Sequence, residues 1–328
     1  MMRHAIARPW AMPALSPCFP ETPIMSSESG RYTVSQRFDL PSSNITLQSS
    51  DRVLFKIHRI NLEMYSRVFA DAAATTAGAA SDEIVMLSES SAVLEIMFQY
   101  MYLQPQPDLS SVEFEVLKEL AEAVEKYEVY CAMSVCSHQM REHISEYPVD
   151  VMLYAIRHKY TDIMNESAVA TLDIAPYSIL SRVPHNVFEA WINYVETYQT
   201  LVAKEFNRFG PTRLHRGVTV PCDVWYENYA LIASELGHAN FASGKLYKRS
   251  GISNQFSVGL SNSPSGHGRR KENVMADRLP ILALLPSIVE KRQALTAERC
   301  ADCKRELGYW IHQTERDWRE MRPFSEFL

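Results

Sequence analysis

The fold of this chain is decided by the sequence NITLQSSDRVLFKIHRINLEMYSRVF, which runs from Asn44 to Phe69. Apolar residues alternate with polar ones on both sides of a short polar turn at residues 49–51. The apolar positions are Ile45 and Leu47 before the turn and Val53, Phe55 and Ile57 after it. A period of two is typical of half-buried strands, so this part of the sequence predicts a β-hairpin.

The spacing of apolar residues changes after His58. Leu62, Tyr65 and Phe69 follow one another at i, i+3 and i+7, which places them on one face of a helix. The stretch therefore predicts a hairpin that runs directly into a helix.

The sequence downstream of Phe69 predicts a loop, a strand and then helices. Residues 70–82 are mostly Ala, Thr, Gly and Ser, which are too small to pack well and predict a surface loop. The apolar run at residues 84–87 predicts a third, buried strand. Ser91 is a suitable cap for the next helix, and Ser110 or Ser111 opens another. The apolar faces of these two helices carry Leu94, Met97, Phe98 and Met101, and then Leu117, Leu120, Ala121 and Val124. A further helical pattern contains Met133, Cys136 and Met140.

The residues and their order resemble the BTB/POZ domain, in particular that of fungal proteins. The positions that match in order are His58, Arg59, Leu62, Ser66, Val68 and Phe69, and the run AVEKY at residues 123–127 matches farther along. The resemblance covers roughly residues 38–145 and implies an α+β fold, with a small three-stranded sheet flanked by helices. An unrelated α+β domain that opens with the same hairpin and helix is the alternative, and the downstream match favours the resemblance.

The whole chain of 328 residues is predicted to consist of five segments. They are a disordered tail at 1–31, a BTB/POZ domain at 32–145, an all-α extension at 146–239, a flexible Ser/Gly/Asn-rich linker at 240–279 and a C-terminal helical segment at 280–328. Pro148, Pro176 and Pro184 are predicted to lie at helix starts. The aromatic stripe at Trp191, Tyr194 and Tyr198 is predicted to be core rather than a ligand platform.

Two segments carry alternative interpretations. Residues 1–20 are Arg-bearing and free of acidic residues, as in an organelle transit peptide, and translation starting at Met25 is a second alternative to a plain tail. The basic cluster at residues 269–271 is either a nuclear localisation signal or an ordinary linker feature.

Composition excludes several classes of function. The formal net charge of −6 opposes broad binding to nucleic-acid phosphates, and no apolar run reaches the length of a membrane span. The six cysteines are scattered, which favours free thiols in a reducing compartment, the cytoplasm or nucleus. No nucleophile elbow, metalloprotease motif or glycine-rich phosphate loop is present, so we expect no catalytic activity.

A candidate zinc site comes from the C-x-x-C pair Cys300 and Cys303. Zinc requires four ligands, and Cys222 and His215 are the best candidates for the other two. Residues at i and i+3 on a helix also share a face for packing reasons, and a redox pair has the same spacing. The sequence therefore requires no cofactor and leaves zinc, packing thiols and a redox pair open.

The resemblance implies protein partners. The candidate interaction residues are Asn44, His58, Arg59, Leu62, Tyr65, Lys126 and Tyr127. The first hypothesis is homo- or hetero-oligomerisation with itself or other BTB proteins. The second is a substrate adaptor of a cullin-type ubiquitin ligase, which docks around the AVEKY segment. The third is transcriptional regulation, which would be indirect because no DNA-binding motif is present.

One position departs from the family pattern. The family usually has Asp immediately before the first strand of the hairpin and Arg or Lys after the His. Arg59 matches the second position, whereas Asn44 stands in place of the Asp. Asn can hydrogen-bond Arg without neutralising its charge, so burying this pair in a dimer would be costly. A monomer or a different partner geometry is therefore an alternative to the usual dimer.

Overall fold

The computed structural model describes residues 32–75, 84–172, 174–215, 220–242, 280–296 and 298–328. The predicted tail with both of its alternatives lies outside the described residues, and so do residues 243–279 of the predicted linker, including the basic cluster. Helix α10 extends to Ala242 and so enters the segment predicted as linker.

A four-stranded mixed sheet forms the centre of the N-terminal half. Its strands are β1 (Thr33–Asp39), β2 (Ile45–Gln48), β3 (Val53–Ile57) and β4 (Ile84–Met86), in the order β1-β3-β2-β4. The predicted hairpin forms as the antiparallel pair β2 and β3, in which Leu47 lies opposite Phe55. Both side chains are fully buried, as the alternation predicts.

The sheet differs from the prediction at both of its edges. Strand β1 was not predicted and raises the strand count from three to four; it pairs in parallel with β3. Its register shifts between Val34 and Asp39, so the buried residues are Ser35 and Phe38, three positions apart, and no period of two is visible. Strand β4 was predicted to be buried, but all of its residues are exposed because it is an edge strand.

The helix predicted after His58 is two helices. Helices α1 (Arg59–Tyr65) and α2 (Arg67–Thr75) are separated at Ser66, whose backbone is extended. The Ser66 hydroxyl is buried, donates to the carbonyl of Tyr127 and accepts from the backbone N–H of Phe69. Residues 70–75, predicted as loop, are helical because alanine has the highest helix propensity.

Helices form the rest of the described chain. They are α3 (Ser91–Gln99), α4 (Phe114–Lys126), α5 (Tyr130–Glu142), α6 (Pro148–His158), α7 (Thr161–Thr171), α8 (Pro176–Leu180), α9 (His185–Arg208), α10 (Asp223–Ala242), α11 (Ile281–Thr296), α12 (Ala301–Glu320) and a final 3-10 turn (Phe324–Glu326). The three prolines lie at helix starts as predicted, with Pro184 as the cap of α9. No helix among these residues is long and apolar enough to cross a membrane.

The described residues form two hydrophobic cores. The first joins the sheet to helices α1 and α3–α9 and includes the predicted aromatic stripe at Trp191, Tyr194 and Tyr198. The second is smaller and lies among α10, α11, α12 and the end of α9. Its buried residues are Phe209, Trp225, Ile232, Leu236, Leu285, Val289, Cys303, Leu307 and Trp310.

A buried polar network connects the two cores. On α12, Asp317 accepts hydrogen bonds from Lys204 at 2.7 Å and Arg208 at 3.2 Å, both on α9. Glu205 accepts from Arg208 and from Thr314, and its side chain is fully buried. Opposite charges and satisfied hydrogen bonds make this burial tolerable.

Candidate functional site

Asn44 and His58 fix the junction between the hairpin and α1. The Asn44 Oδ1 atom accepts a hydrogen bond of 2.7 Å from the backbone N–H of Arg59, so it satisfies a free donor in the first turn of α1. The His58 ring lies between the Ser42 Oγ atom, 2.8 Å from Nε2, and the Tyr102 hydroxyl, 3.2 Å from Nδ1. The contact between Asn44 and Arg59 therefore uses the backbone of Arg59 and not its guanidinium group.

The accessible apolar face of α1 is not the face selected from the sequence. Leu62 is buried and Tyr65 packs against the first core, so a partner cannot contact Leu62 without unfolding this region. Ile60 and Met64 are 58% and 68% exposed, and they lie one turn apart on the opposite side of the helix. In the sequence, apolar residues lie on two faces of this short helix. One face packs against the first core, and the other stays accessible to a partner.

Lys126 and Tyr127 hold together three parts of the N-terminal half. The Tyr127 hydroxyl donates to Glu89 at 2.6 Å, and the Lys126 ammonium donates to Glu89 and Ser88 at 2.7 Å each. The Tyr127 ring stacks on Phe69 of α2 at 4.9 Å. Tyr127 is thus buried and positions its neighbours, whereas Lys126 stays half exposed.

The electrostatics of this contact favour an ionised Glu89. Burial acts to raise the pKa of Glu89, but hydrogen bonds from Lys126 and Tyr127 outweigh it and hold the pKa below its ordinary value. Burial and the neighbouring carboxylate raise the pKa of Tyr127, so its hydroxyl stays a hydrogen-bond donor.

The edge strand β4 forms a second accessible surface beside Lys126. Ile84, Val85 and Met86 are all exposed, Met86 by 74%. Ser88 and Glu89 follow directly and contact Lys126. An exposed strand edge of this kind can pair with another chain.

The four residues selected as metal ligands lie together in the C-terminal half. The ligand atoms of His215, Cys222, Cys300 and Cys303 all lie within 4.8 Å of one another. The sulfur atoms of Cys222 and Cys303 are 3.5 Å apart, and the Nε2 atom of His215 is 3.4 Å from the sulfur atoms of both Cys300 and Cys303. Cys303 is fully buried and the other three are partly exposed.

Local structure explains why these residues meet. His215 and Cys222 lie in the connection between α9 and α10, and the backbone N–H of Cys222 donates to the carbonyl of Arg213 at 3.0 Å. Cys300 is the cap residue of α12, and Cys303 lies in its first turn.

The two cysteines on α12 differ in their electrostatics. Burial acts to raise the pKa of Cys300, but hydrogen bonds from backbone N–H groups at the start of the helix outweigh it and lower the pKa. Burial, together with the sulfur atoms of Cys222 and Cys300, raises the pKa of Cys303. Three neighbouring thiols cannot all ionise readily because their charges repel.

Comparison with known proteins identifies one region of the chain. Residues 37–144 match the family model of the BTB/POZ domain. The match begins inside β1 and ends just after α5. It covers the end of β1, strands β2–β4 and helices α1–α5, and excludes the Cys/His cluster. No curated protein matches the chain.

Proposed function

Since residues 37–144 form a BTB/POZ domain, a protein–protein interaction module of a generally non-catalytic family, we propose that this chain acts by oligomerisation through helix α1. The partner is a second copy of this chain or another BTB protein. The proposal rests on one observation, the exposure of Ile60 and Met64 on a helix whose first turn is fixed from outside.

The arrangement of α1 suits a binding surface. Apolar side chains of this size release water when a partner covers them, and each buried side chain contributes about 1.5–3 kcal/mol. Asn44 and His58 already hold the start of the helix in place, so binding costs little conformational entropy there. Among the described residues no ion pair involves Arg59 at the same end of the helix, so its charge is available to an acidic group of a partner.

The test is self-association of the full chain. We expect sedimentation velocity over a range of micromolar concentrations to show a reversible oligomer, which the double variant I60E/M64E weakens at least about tenfold because it places two charges in an apolar contact. The matched control is Leu103→Glu, since Leu103 is a fully exposed apolar residue outside α1. A wild-type chain that stays monomeric and retains no BTB partner in affinity purification would contradict the proposal.

A cullin adaptor is the second candidate, and the exposed edge of β4 beside Lys126 is the observation in its favour. A pull-down of the full chain with a cullin N-terminal domain tests it. We expect retention that Met86→Glu and Lys126→Glu abolish and that the α1 double variant leaves intact. Absence of retention by the wild-type chain would rule out this candidate.

The setting we propose is a reducing one, the cytoplasm or nucleus. The five cysteines in the described residues are all free of disulfides, which supports it. A fluorescent fusion of the chain found in the secretory pathway would contradict this setting.

A further inference from the structure

We propose that His215, Cys222, Cys300 and Cys303 bind a structural zinc ion that holds the C-terminal helices together. This site lies outside the BTB/POZ domain and does not depend on the function proposed for α1.

The distances between the ligand atoms fit a tetrahedral zinc site. With Zn–S bonds of about 2.3 Å and Zn–N bonds of about 2.0–2.1 Å, neighbouring ligand atoms lie about 3.5–3.8 Å apart. The Cys222–Cys303 sulfur pair is 3.5 Å apart, and His215 Nε2 is 3.4 Å from the sulfur atoms of two cysteines. An ion at the centre of the cluster therefore needs only small side-chain movements.

The composition of the cluster opposes the two alternatives. A redox pair needs only Cys300 and Cys303, which leaves the approach of His215 and Cys222 to these two sulfur atoms unexplained. Packing alone explains why Cys300 and Cys303 share a helix face, but not why two residues from a separate segment point their ligand atoms at the same place.

The site is built on segments that other contacts already hold. The Arg213 guanidinium forms an ion pair of 2.6 Å with Glu306 on α12, and the Trp225 indole donates to the carbonyl of Gly210 at 2.9 Å. These contacts fix the segment that carries His215 against α10 and α12. A preorganised site loses less entropy when the ion binds.

Four protein ligands complete the coordination of zinc, which is typical of structural sites, whereas catalytic sites keep a position open for water. Three thiolates and one imidazole favour zinc over calcium or magnesium, which prefer oxygen ligands. The ion would join residue 215 to residue 303 and close a long loop around the smaller of the two cores.

The test is the metal content of the full chain, purified without chelator from zinc-supplemented cells. We expect elemental analysis to find close to one zinc per chain. The variant His215→Ala loses the ion on dialysis against a weak chelator, and His215→Cys retains it because four thiolates also bind zinc. The control Cys131→Ser, a cysteine of the BTB/POZ domain outside the cluster, keeps the wild-type content.

Cobalt replacement keeps the proposal testable if a variant misfolds. Wild-type protein stripped of metal and titrated with Co²⁺ should develop the intense visible absorption of a tetrahedral thiolate site, and zinc should displace it. A zinc content far below one per chain, or His215→Ala binding zinc as tightly as wild type, would overturn the proposal. Self-association through α1 is measured separately, so failure of one proposal leaves the other standing.

Discussion

The two halves of this protein achieve order by different means. The N-terminal half surrounds a sheet with a large apolar core, in which Phe38, Phe55 and Phe98 contact one another edge-on or tilted at 5.4–6.1 Å. The smaller core, among α10, α11, α12 and the end of α9, has nine buried residues among those described. A core of that size contributes much less hydrophobic stabilisation than the first.

The smaller core compensates with polar and ligand-type contacts. Its central residue, Trp310, stacks on Phe209 at 5.0 Å, yet its indole N–H is buried without a hydrogen-bond partner among the described residues. Ion pairs of Arg213 and Asp317 connect the surrounding helices, and the Cys/His cluster lies at one end. The N-terminal half is therefore stabilised mainly by packing, whereas the smaller core relies more on ion pairs and, under the zinc proposal, on the metal.

The strongest contrast between the halves is expected when one buried cysteine in each is replaced by alanine. Cys303 and Cys136 are both fully buried, the first in the small core and the second in the large one. If the proposed zinc ion is present, we expect Cys303→Ala to remove it and abolish protection from hydrogen exchange in α10–α12. Cys136→Ala should cost only roughly 1–2 kcal/mol, the price of one buried sulfur atom.

Hydrogen exchange of the full chain, read by mass spectrometry, checks this comparison. A strong chelator should reproduce the Cys303→Ala pattern in wild-type protein and leave α3–α5 protected. Equal losses from the two substitutions would show that the second half, like the first, is stabilised by packing.

The next prediction concerns the ion pairs of Asp317, which connect helix α12 to helix α9. Burial acts to raise the pKa of Asp317, but Lys204, Arg208 and Arg316 outweigh it and hold the pKa below its ordinary value. We expect Asp317→Asn to lower the free energy of unfolding by about 2 kcal/mol at neutral pH.

The sign of the pH dependence follows from the lowered pKa. Stability from ionised Asp317 is fully present above the unfolded-state pKa of about 3.9 and is lost as pH falls through the lower folded-state value. Urea unfolding of wild type and variant should therefore converge in acid. Glu315→Gln, on an exposed face of the same helix, is the matched control and should change stability by less than about 0.5 kcal/mol.

The regular parts of the fold were predictable from the sequence. The hairpin and the apolar faces of α3 and α4 follow simple periods, and the buried residues match them. Strand β1 was missed because its bulge replaces a period of two with buried residues three apart, at Ser35 and Phe38. The break at Ser66 depends on a hydrogen bond to Tyr127, sixty-one residues away, which no local pattern reveals.

Of the candidate sites, too, one was predictable from the sequence and the other was not. The Cys/His set was predictable because few residue types bind zinc and the C-x-x-C spacing is distinctive. The accessible face of α1 was not, since the apolar pattern shows two faces and only packing decides which is covered. Leu62 and Tyr127 were selected for binding, but both are buried.

A smaller effect is expected within the first half. Tyr127→Phe removes the hydroxyl that donates to Glu89 and keeps the ring that stacks on Phe69. We expect a loss of about 1–2 kcal/mol in urea unfolding, because the acceptor is charged and only 12% exposed. Tyr130→Phe is the control, since its hydroxyl lies on the exposed surface. A loss as small as the control's would show that Lys126 alone satisfies Glu89.

The smallest effect tests how the first half presents α1. Asn44 accepts from the backbone N–H of Arg59 within its own chain, so Asn44→Asp should keep the hydrogen bond and add a negative charge at the positive end of the helix. We expect a gain of about 0.5 kcal/mol in urea unfolding that shrinks at high salt, while Asn44→Ala loses about 1 kcal/mol. Self-association should be the same for Asn44→Asp as for wild type, because this side chain is occupied by the helix it caps. An oligomer strengthened by Asn44→Asp would instead place residue 44 at the interface, and the binding surface would then extend from Ile60 and Met64 to the start of the hairpin.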